Sequence, residues 1–121
     1  MKAQKILIVD DNKDFADVFC DILRANDYEV SSCYSGERAL ILLDEDNYDI
    51  IFLDLRMPKM NGIETLKKIK EKYPEIKVII MTGYSVDEMV HKALEAKASE
   101  VMYKPFEIEK VLSLLKSYSQ N

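Results

Sequence analysis

Short unbroken apolar runs alternate along this chain with longer stretches in which apolar residues recur every three or four positions. Residues 50–53 (Ile-Ile-Phe-Leu) read as a strand buried on both faces; residues 5–9 (Lys-Ile-Leu-Ile-Val), 77–81 (Lys-Val-Ile-Ile-Met) and the short stretch 100–103 read as further strands, and residues 28–33, less apolar, as an edge strand. Between them lie helical stripes: Phe15, Val18, Phe19, Ile22 and Leu23; then Ala39, Leu40 and Leu43; then Ile63, Leu66 and Ile69; then Val86, Met89, Val90, Ala93 and Leu94; and finally Ile108, Val111, Leu112 and Leu115. Asn12 stands where a helix N-cap would, and Ser35-Gly36, Asn61-Gly62 and Tyr73-Pro74 punctuate the pattern.

Five strands alternating with five helices imply βαβ units with right-handed crossovers, hence a parallel sheet covered on both faces. The expected fold is α/β, a flavodoxin-like doubly wound sheet of five strands. Alternation alone does not fix the strand order; 2-1-3-4-5 is the order associated with flavodoxin-like folds of this size. The 121 residues suit one domain over the whole chain, able to bury a core without a metal or disulfide staple.

In such a sheet, whatever follows each strand gathers at one edge, where ligands bind. Here those residues are Asp10 and Asp11, Asp54, Thr82 and Lys104. Each has an ordinary explanation alone: an aspartate after a strand is commonly a turn or capping residue, a threonine a turn hydroxyl, a lysine a surface charge. Together at the ends of four strands they suggest chemistry. Three clustered carboxylates repel, and a hard divalent cation such as Mg²⁺, bound weakly, resolves the repulsion. With the acids neutralised, Asp54 could attack phosphorus as a nucleophile, Lys104 could stabilise phosphoryl charge and Thr82 could hydrogen-bond a phosphoryl oxygen.

Composition narrows the setting. The net charge is -5, and the densest basic run, residues 67–72, is interrupted by Ile69 and Glu71, so it reads as a solvated helix face and direct nucleic-acid binding is not expected. No signal-peptide layout and no apolar stretch of membrane-spanning length occur, so a cytoplasmic protein without membrane contact is expected. Cys20 and Cys33 lack C-x-x-C spacing and lie in apolar patterns, as buried reduced thiols would. His91, the single histidine, reads as a solvated surface residue, and Leu114 and Tyr118, off the main stripe of the last helix, as possible parts of a partner surface.

Four motifs in order, Ile-Leu-Ile-Val-Asp-Asp-Asn, Leu-Asp-Leu-Arg-Met-Pro-Lys-Met-Asn-Gly, Met-Thr-Gly and Lys-Pro-Phe, give the sequence a resemblance to response-regulator receiver domains, the phosphoacceptor modules of two-component signalling. The resemblance covers the whole chain. It implies that Asp54 takes a phosphoryl group from a histidine kinase or a histidine phosphotransfer protein. It further implies that Asp11 ligates Mg²⁺, that Asp10 contributes through water, and that the backbone carbonyl of Arg56 completes the protein's share. Lys104 would pair with the phosphoryl group, its bond to Pro105 cis, and Thr82 would be the switch hydroxyl. Phosphorylation would favour a second arrangement of the surface around the fourth helix, fifth strand and fifth helix, read by a downstream protein target or an output domain.

The sequence departs from the family pattern at Val101, where an aromatic partner of the switch hydroxyl is usual; Tyr103, two residues on and on the same face, could substitute or simply pack. Arg56 and Tyr84 occupy the two positions that, in the family, flank the attacking water, and their bulk implies slow self-dephosphorylation. Beyond its own phosphorylation and dephosphorylation, no enzyme activity is expected. Two rivals predict features the chain lacks. An aspartate-nucleophile phosphatase needs an acid two residues after the nucleophile, where Arg56 stands; a flavin or nucleotide module needs a Gly- or hydroxyl-rich phosphate loop where Asp10-Asp11 stands. The chain fits either a complete single-domain regulator or the receiver of a longer protein.

Overall fold

A computed structural model describes residues 4–55, 62–83 and 87–119. Along the chain run β1 (Lys5–Val9), α1 (Lys13–Ala25), β2 (Glu29–Cys33), α2 (Gly36–Glu45), β3 (Ile50–Asp54), α3 (Gly62–Lys72), β4 (Lys77–Thr82), α4 (Asp87–Glu95), β5 (Glu100–Tyr103) and α5 (Ile108–Ser119). All strands pair in parallel, in the order β2-β1-β3-β4-β5. The sequence pattern explains the order of burial: β3, apolar at four successive positions, is central and buried throughout, whereas the more polar β2 lies at an edge.

Two cores result, one on each face. Ala16, Phe19, Cys20 and Leu23 of α1 and Val111 and Leu115 of α5 pack on Ile6, Ile8, Ile50, Phe52, Ile79 and Met81. On the other face Ala39 and Leu43 of α2, Leu66 and Ile69 of α3 and Ala93 of α4 cover Leu7, Val9, Ile51, Leu53, Val78 and Ile80. Alternate residues of each strand serve opposite cores, as the pleat requires. Cys20 and Cys33 are buried free thiols on opposite faces of the sheet. Burial pushes the Cys33 thiol up to about 11, against the weaker opposing effects of a hydrogen bond to Ser35 and the charge of Arg38, so it stays protonated at neutral pH.

Three sequence expectations change at the level of single residues. In α1, Val18 and Ile22 are exposed at 58% and 37%, because the buried face is centred on Ala16, Phe19, Cys20 and Leu23, so the apolar stripe is wider than the contact with the sheet. Leu94 is likewise half exposed beside a buried Ala93. Leu114 and Tyr118, by contrast, are partly buried against the α1/α5 core rather than standing free, and burial raises the Tyr118 phenol above its ordinary pKa. Among the described residues, no helix is long and apolar enough to cross a membrane.

Candidate phosphoacceptor site

Parallel pairing brings the strand ends to one edge. Asp10 directly follows β1, Asp54 ends β3 opposite Met81, and Thr82 ends β4 opposite Tyr103. The backbone joins them: Lys104 N–H donates to the Thr82 carbonyl at 2.7 Å, Leu55 N–H to Met81 at 3.3 Å, and Asp10 N–H to Cys33 at 3.2 Å.

The turn after β1 is organised by two side chains. Asn12 caps α1, its carbonyl oxygen accepting from Phe15 N–H at 3.1 Å. Asp10, with no exposed surface, accepts from Asn12 N–H at 2.9 Å through Oδ1. Its other oxygen, Oδ2, accepts from Lys104 Nζ at 2.5 Å. The same ammonium lies 3.9 Å from Asp54 Oδ2. Lys104 is therefore shared between two acids and bonded to one of them.

Asp11 is exposed, yet one carboxylate oxygen each from Asp10, Asp11 and Asp54 lie within 4.8 Å of one another. Among the described residues, three carboxylates at that spacing with the Lys104 ammonium beside two of them form a donor set that favours a cation. The donors are all hard oxygens, partly buried and partly open to solvent, which suits a cation that keeps several waters. On this observation the residues present fit Mg²⁺.

Gly62, where α3 begins, supports the acceptor from behind. Its N–H donates to the Leu55 carbonyl at 3.1 Å. A Cβ here would fall 2.4 Å from Leu55 Cα and 2.5 Å from the Asp54 carbonyl oxygen, so only glycine permits α3 to start this close to the strand end.

The remaining sequence candidates separate. Arg56, whose carbonyl completes the expected metal set, and Tyr84, its partner beside the water route, lie outside the described residues. Val101 packs against the α2/α3/α4 core, and Tyr103 on the same face is 48% exposed. His91 is exposed and pairs with Glu95 at 3.0 Å, a helix-surface contact remote from the strand ends. The peptide bond Lys104–Pro105 is cis. One participant went unread in the sequence: Phe15, which there is merely the first apolar residue of a helical stripe, lies with its ring 4.2 Å from Lys104 Nζ.

Comparison with known proteins identifies the family and agrees with the fold. The model of the response regulator receiver domain matches residues 6–116. Sporulation initiation phosphotransferase F of Bacillus subtilis (strain 168) is 33% identical over 118 residues, which span 98% of this chain and 95% of that protein. Transcriptional regulatory protein ZraR of Salmonella typhimurium is 37% identical over 110 residues, 91% of this chain but 25% of ZraR, so the chain spans about a quarter of that relative's length. Among solved structures, the BeF3-activated receiver domain of DrrB, a Thermotoga maritima protein, superposes with a TM-score of 0.87 at 33% identity, covering 99% of this chain and 100% of that one. A CheY-like receiver domain protein from Methanospirillum hungatei JF-1 gives a TM-score of 0.90 at 28% identity, covering 98% of each. The family model spans most of the chain and the Bacillus relative matches it nearly end to end, so the chain belongs to the response-regulator receiver family, the phosphoacceptor modules of two-component signalling.

Proposed function

We propose that Asp54 is the phosphoacceptor and that Asp10, Asp11, Thr82 and Lys104 are its machinery. The observation that carries this is the convergence of three carboxylates within 4.8 Å of one another, with Lys104 beside two of them, at the end of the central strand. The carboxylates of Asp10, Asp11 and Asp54, with the Arg56 carbonyl, would hold Mg²⁺, which when bound neutralises the acids and offsets phosphoryl charge. A carboxylate oxygen of Asp54 forms the new O–P bond as the P–N bond of a phosphohistidine breaks; the bonding electrons return to the imidazole, which takes up a proton from water. Lys104 places positive charge beside the transferring oxygens, and the Thr82 hydroxyl donates to one of them once the phosphoryl group is in place.

The donor is the phosphohistidine of a kinase or of a phosphotransfer protein, in the cytoplasm. The switched surface comprises α4, β5 and α5. Tyr103, opposite Thr82 in register and half exposed, is the aromatic group on that surface nearest in sequence to the lysine. Its readers are a downstream protein or an output domain, as the much longer ZraR would supply; the phosphotransferase name of the Bacillus relative favours relay to a further protein. Arg56 and Tyr84, both large, occupy the positions that in the family flank the attacking water, which supports a long-lived phosphorylated state. Replacing both with smaller residues, Arg56→Asn with Tyr84→Ala, is expected to shorten its lifetime; an unchanged or longer lifetime would contradict the assignment.

Incubation with acetyl phosphate and Mg²⁺ tests the acceptor role. Intact-mass measurement should show one added phosphoryl group, absent without Mg²⁺ and absent from Asp54→Asn. Steady turnover of a generic phosphomonoester would instead support the phosphatase reading, which Arg56 at the position of the required second acid disfavours.

A further inference from the structure

We infer that Phe15 is a positioning residue for the site: its ring holds the Lys104 ammonium beside Asp54. The inference rests on the reading of Lys104 as the lysine that serves phosphoryl transfer.

The contact is short. Lys104 Nζ stands 4.2 Å from the centroid of the Phe15 ring, whereas the other lysine–aromatic contacts of the described residues, Lys5 with Tyr48, Lys13 with Tyr34, Lys72 with Tyr73 and Lys77 with Tyr118, run from 5.3 to 5.8 Å. Of those lysines, Lys5, Lys72 and Lys77 lie at the amino ends of the strands, and Lys13, two residues after Asp11, stands over Tyr34 instead. The ring face carries negative potential and attracts an ammonium most strongly where water is partly excluded, and only 22% of the Lys104 side chain is exposed.

The ring is itself fixed. Phe15 meets Phe19 at 5.7 Å and Phe106 edge-on at 6.0 Å; Phe19 in turn meets Phe106 at 5.5 Å and Phe52 at 5.0 Å. Phe52 lies two residues before Asp54 on the central strand, and Phe106 two residues after Lys104. The four rings therefore tie the start of α1 to the strand that carries the acceptor and to the segment that carries the lysine.

The reaction gives this contact a purpose. Lys104 is bonded to Asp10 at 2.5 Å and only approaches Asp54 at 3.9 Å. Asp10 is also one of the three acids available to a cation, so the anchor that the lysine uses here has a competing demand on it. A flexible four-carbon stem that loses its anionic partner swings toward water and loses its aim. The Phe15 face makes no such competing bond, so it retains the ammonium at the site whichever partner Asp10 takes.

Two measurements on the whole chain test the inference. In NMR spectra of the parent protein, the ring current should move the Lys104 ε-methylene protons upfield of those of the other lysines, and Mg²⁺ should leave that shift in place. Phe15→Leu should abolish it and Phe15→Tyr should keep it. Phosphorylation by acetyl phosphate at saturating Mg²⁺, followed by intact mass, should slow by about two- to fivefold in Phe15→Leu and recover in Phe15→Tyr. If Phe15→Leu fails to fold, Phe15→Met, closer in length and without a π face, takes its place, and the parent spectrum alone remains decisive. An unshifted Lys104 signal, or equal rates in the Leu and Tyr variants, would overturn the role of Phe15 while leaving the acceptor assignment intact. Failure of the parent to take up a phosphoryl group at all would instead remove the reading beneath it.

Discussion

The two ends of the sheet hold charge in opposite ways. At the amino end, each acid has its own cation and both face water: Lys5 pairs with Asp46 and its N–H donates to Asp49 at 2.8 Å, while Lys72 meets Asp44 at 2.6 Å and the Tyr73 hydroxyl donates to the same carboxylate. At the carboxyl end, three acids lie within 4.8 Å of one another with Lys104 among them, and two of the three are buried. These paired and solvated charges tie the end of α2 to β1 and to α3 and have little left to react. Carboxylates gathered around a shared lysine, two of them buried, form a donor set suited to a cation and present a nucleophile. The same residue types thus act as fasteners at one end and as a site at the other.

Removing cations from the two ends sharpens that contrast. Lys104→Met should slow acetyl-phosphate labelling on the order of 10²-fold with the fold retained, the loss typical of removing one preorganised group that stabilises transition-state charge; a rate within a factor of two of the parent would place Lys104 outside the chemistry. Phe15→Leu acts in the same direction and more weakly, as set out above. Gly62→Ala tests how tightly the carboxyl end is built. The added methyl meets backbone at 2.4 and 2.5 Å, so urea denaturation should show a loss of about 1–3 kcal/mol or more, and an unchanged midpoint would mean that the loop behind Asp54 has room to spare.

The amino end should respond least. Hydrogen bonds from Lys72 and Lys5 hold the Asp44 and Asp46 carboxyls below their ordinary pKa of 3.8. A carboxylate whose pKa is lower folded than unfolded adds stability above the unfolded value, and that stability is lost as the pH falls through the folded one. Asp44→Asn and Asp46→Asn should therefore leave the melting temperature nearly unchanged at pH 7, because both pairs are exposed and screened, and the small difference from the parent should fade as the pH falls through the lowered carboxyl pKa values. A large loss at pH 7 in high salt would break the distinction between the two ends.

Much of this was readable in the chain. The run Ile50 to Leu53 announced a central strand because it is short, β-branched and aromatic, and apolar at every position, as a strand buried on both faces is, and Asp54, Thr82 and Lys104 followed from the rule that strand ends converge. What could not be read depends on distances between elements. Phe15 looks like any stripe residue until α1 is docked and its ring meets Lys104. Val18 and Leu94 look like core residues until the docked helices bury Ala16, Phe19, Cys20 and Leu23 of α1 and Ala93 of α4 and leave these two exposed. The partition of Lys104 between Asp10 and Asp54, at 2.5 and 3.9 Å, is a matter of side-chain reach that no spacing encodes. Gly62 appeared as a helix-start signal, whereas its role is to let two backbones touch behind the acceptor.

The most direct test of the account is the position of the phosphoryl bond. An acyl phosphate is reduced by borohydride to an alcohol, so a phosphorylated aspartate becomes homoserine, which peptide mass spectrometry locates by sequence. After treatment with acetyl phosphate and Mg²⁺ followed by borohydride, homoserine should appear at position 54, with Asp10 and Asp11 unmodified. Homoserine at position 10 or 11, or labelled protein that yields none at 54, would contradict the assignment of Asp54 as the acceptor.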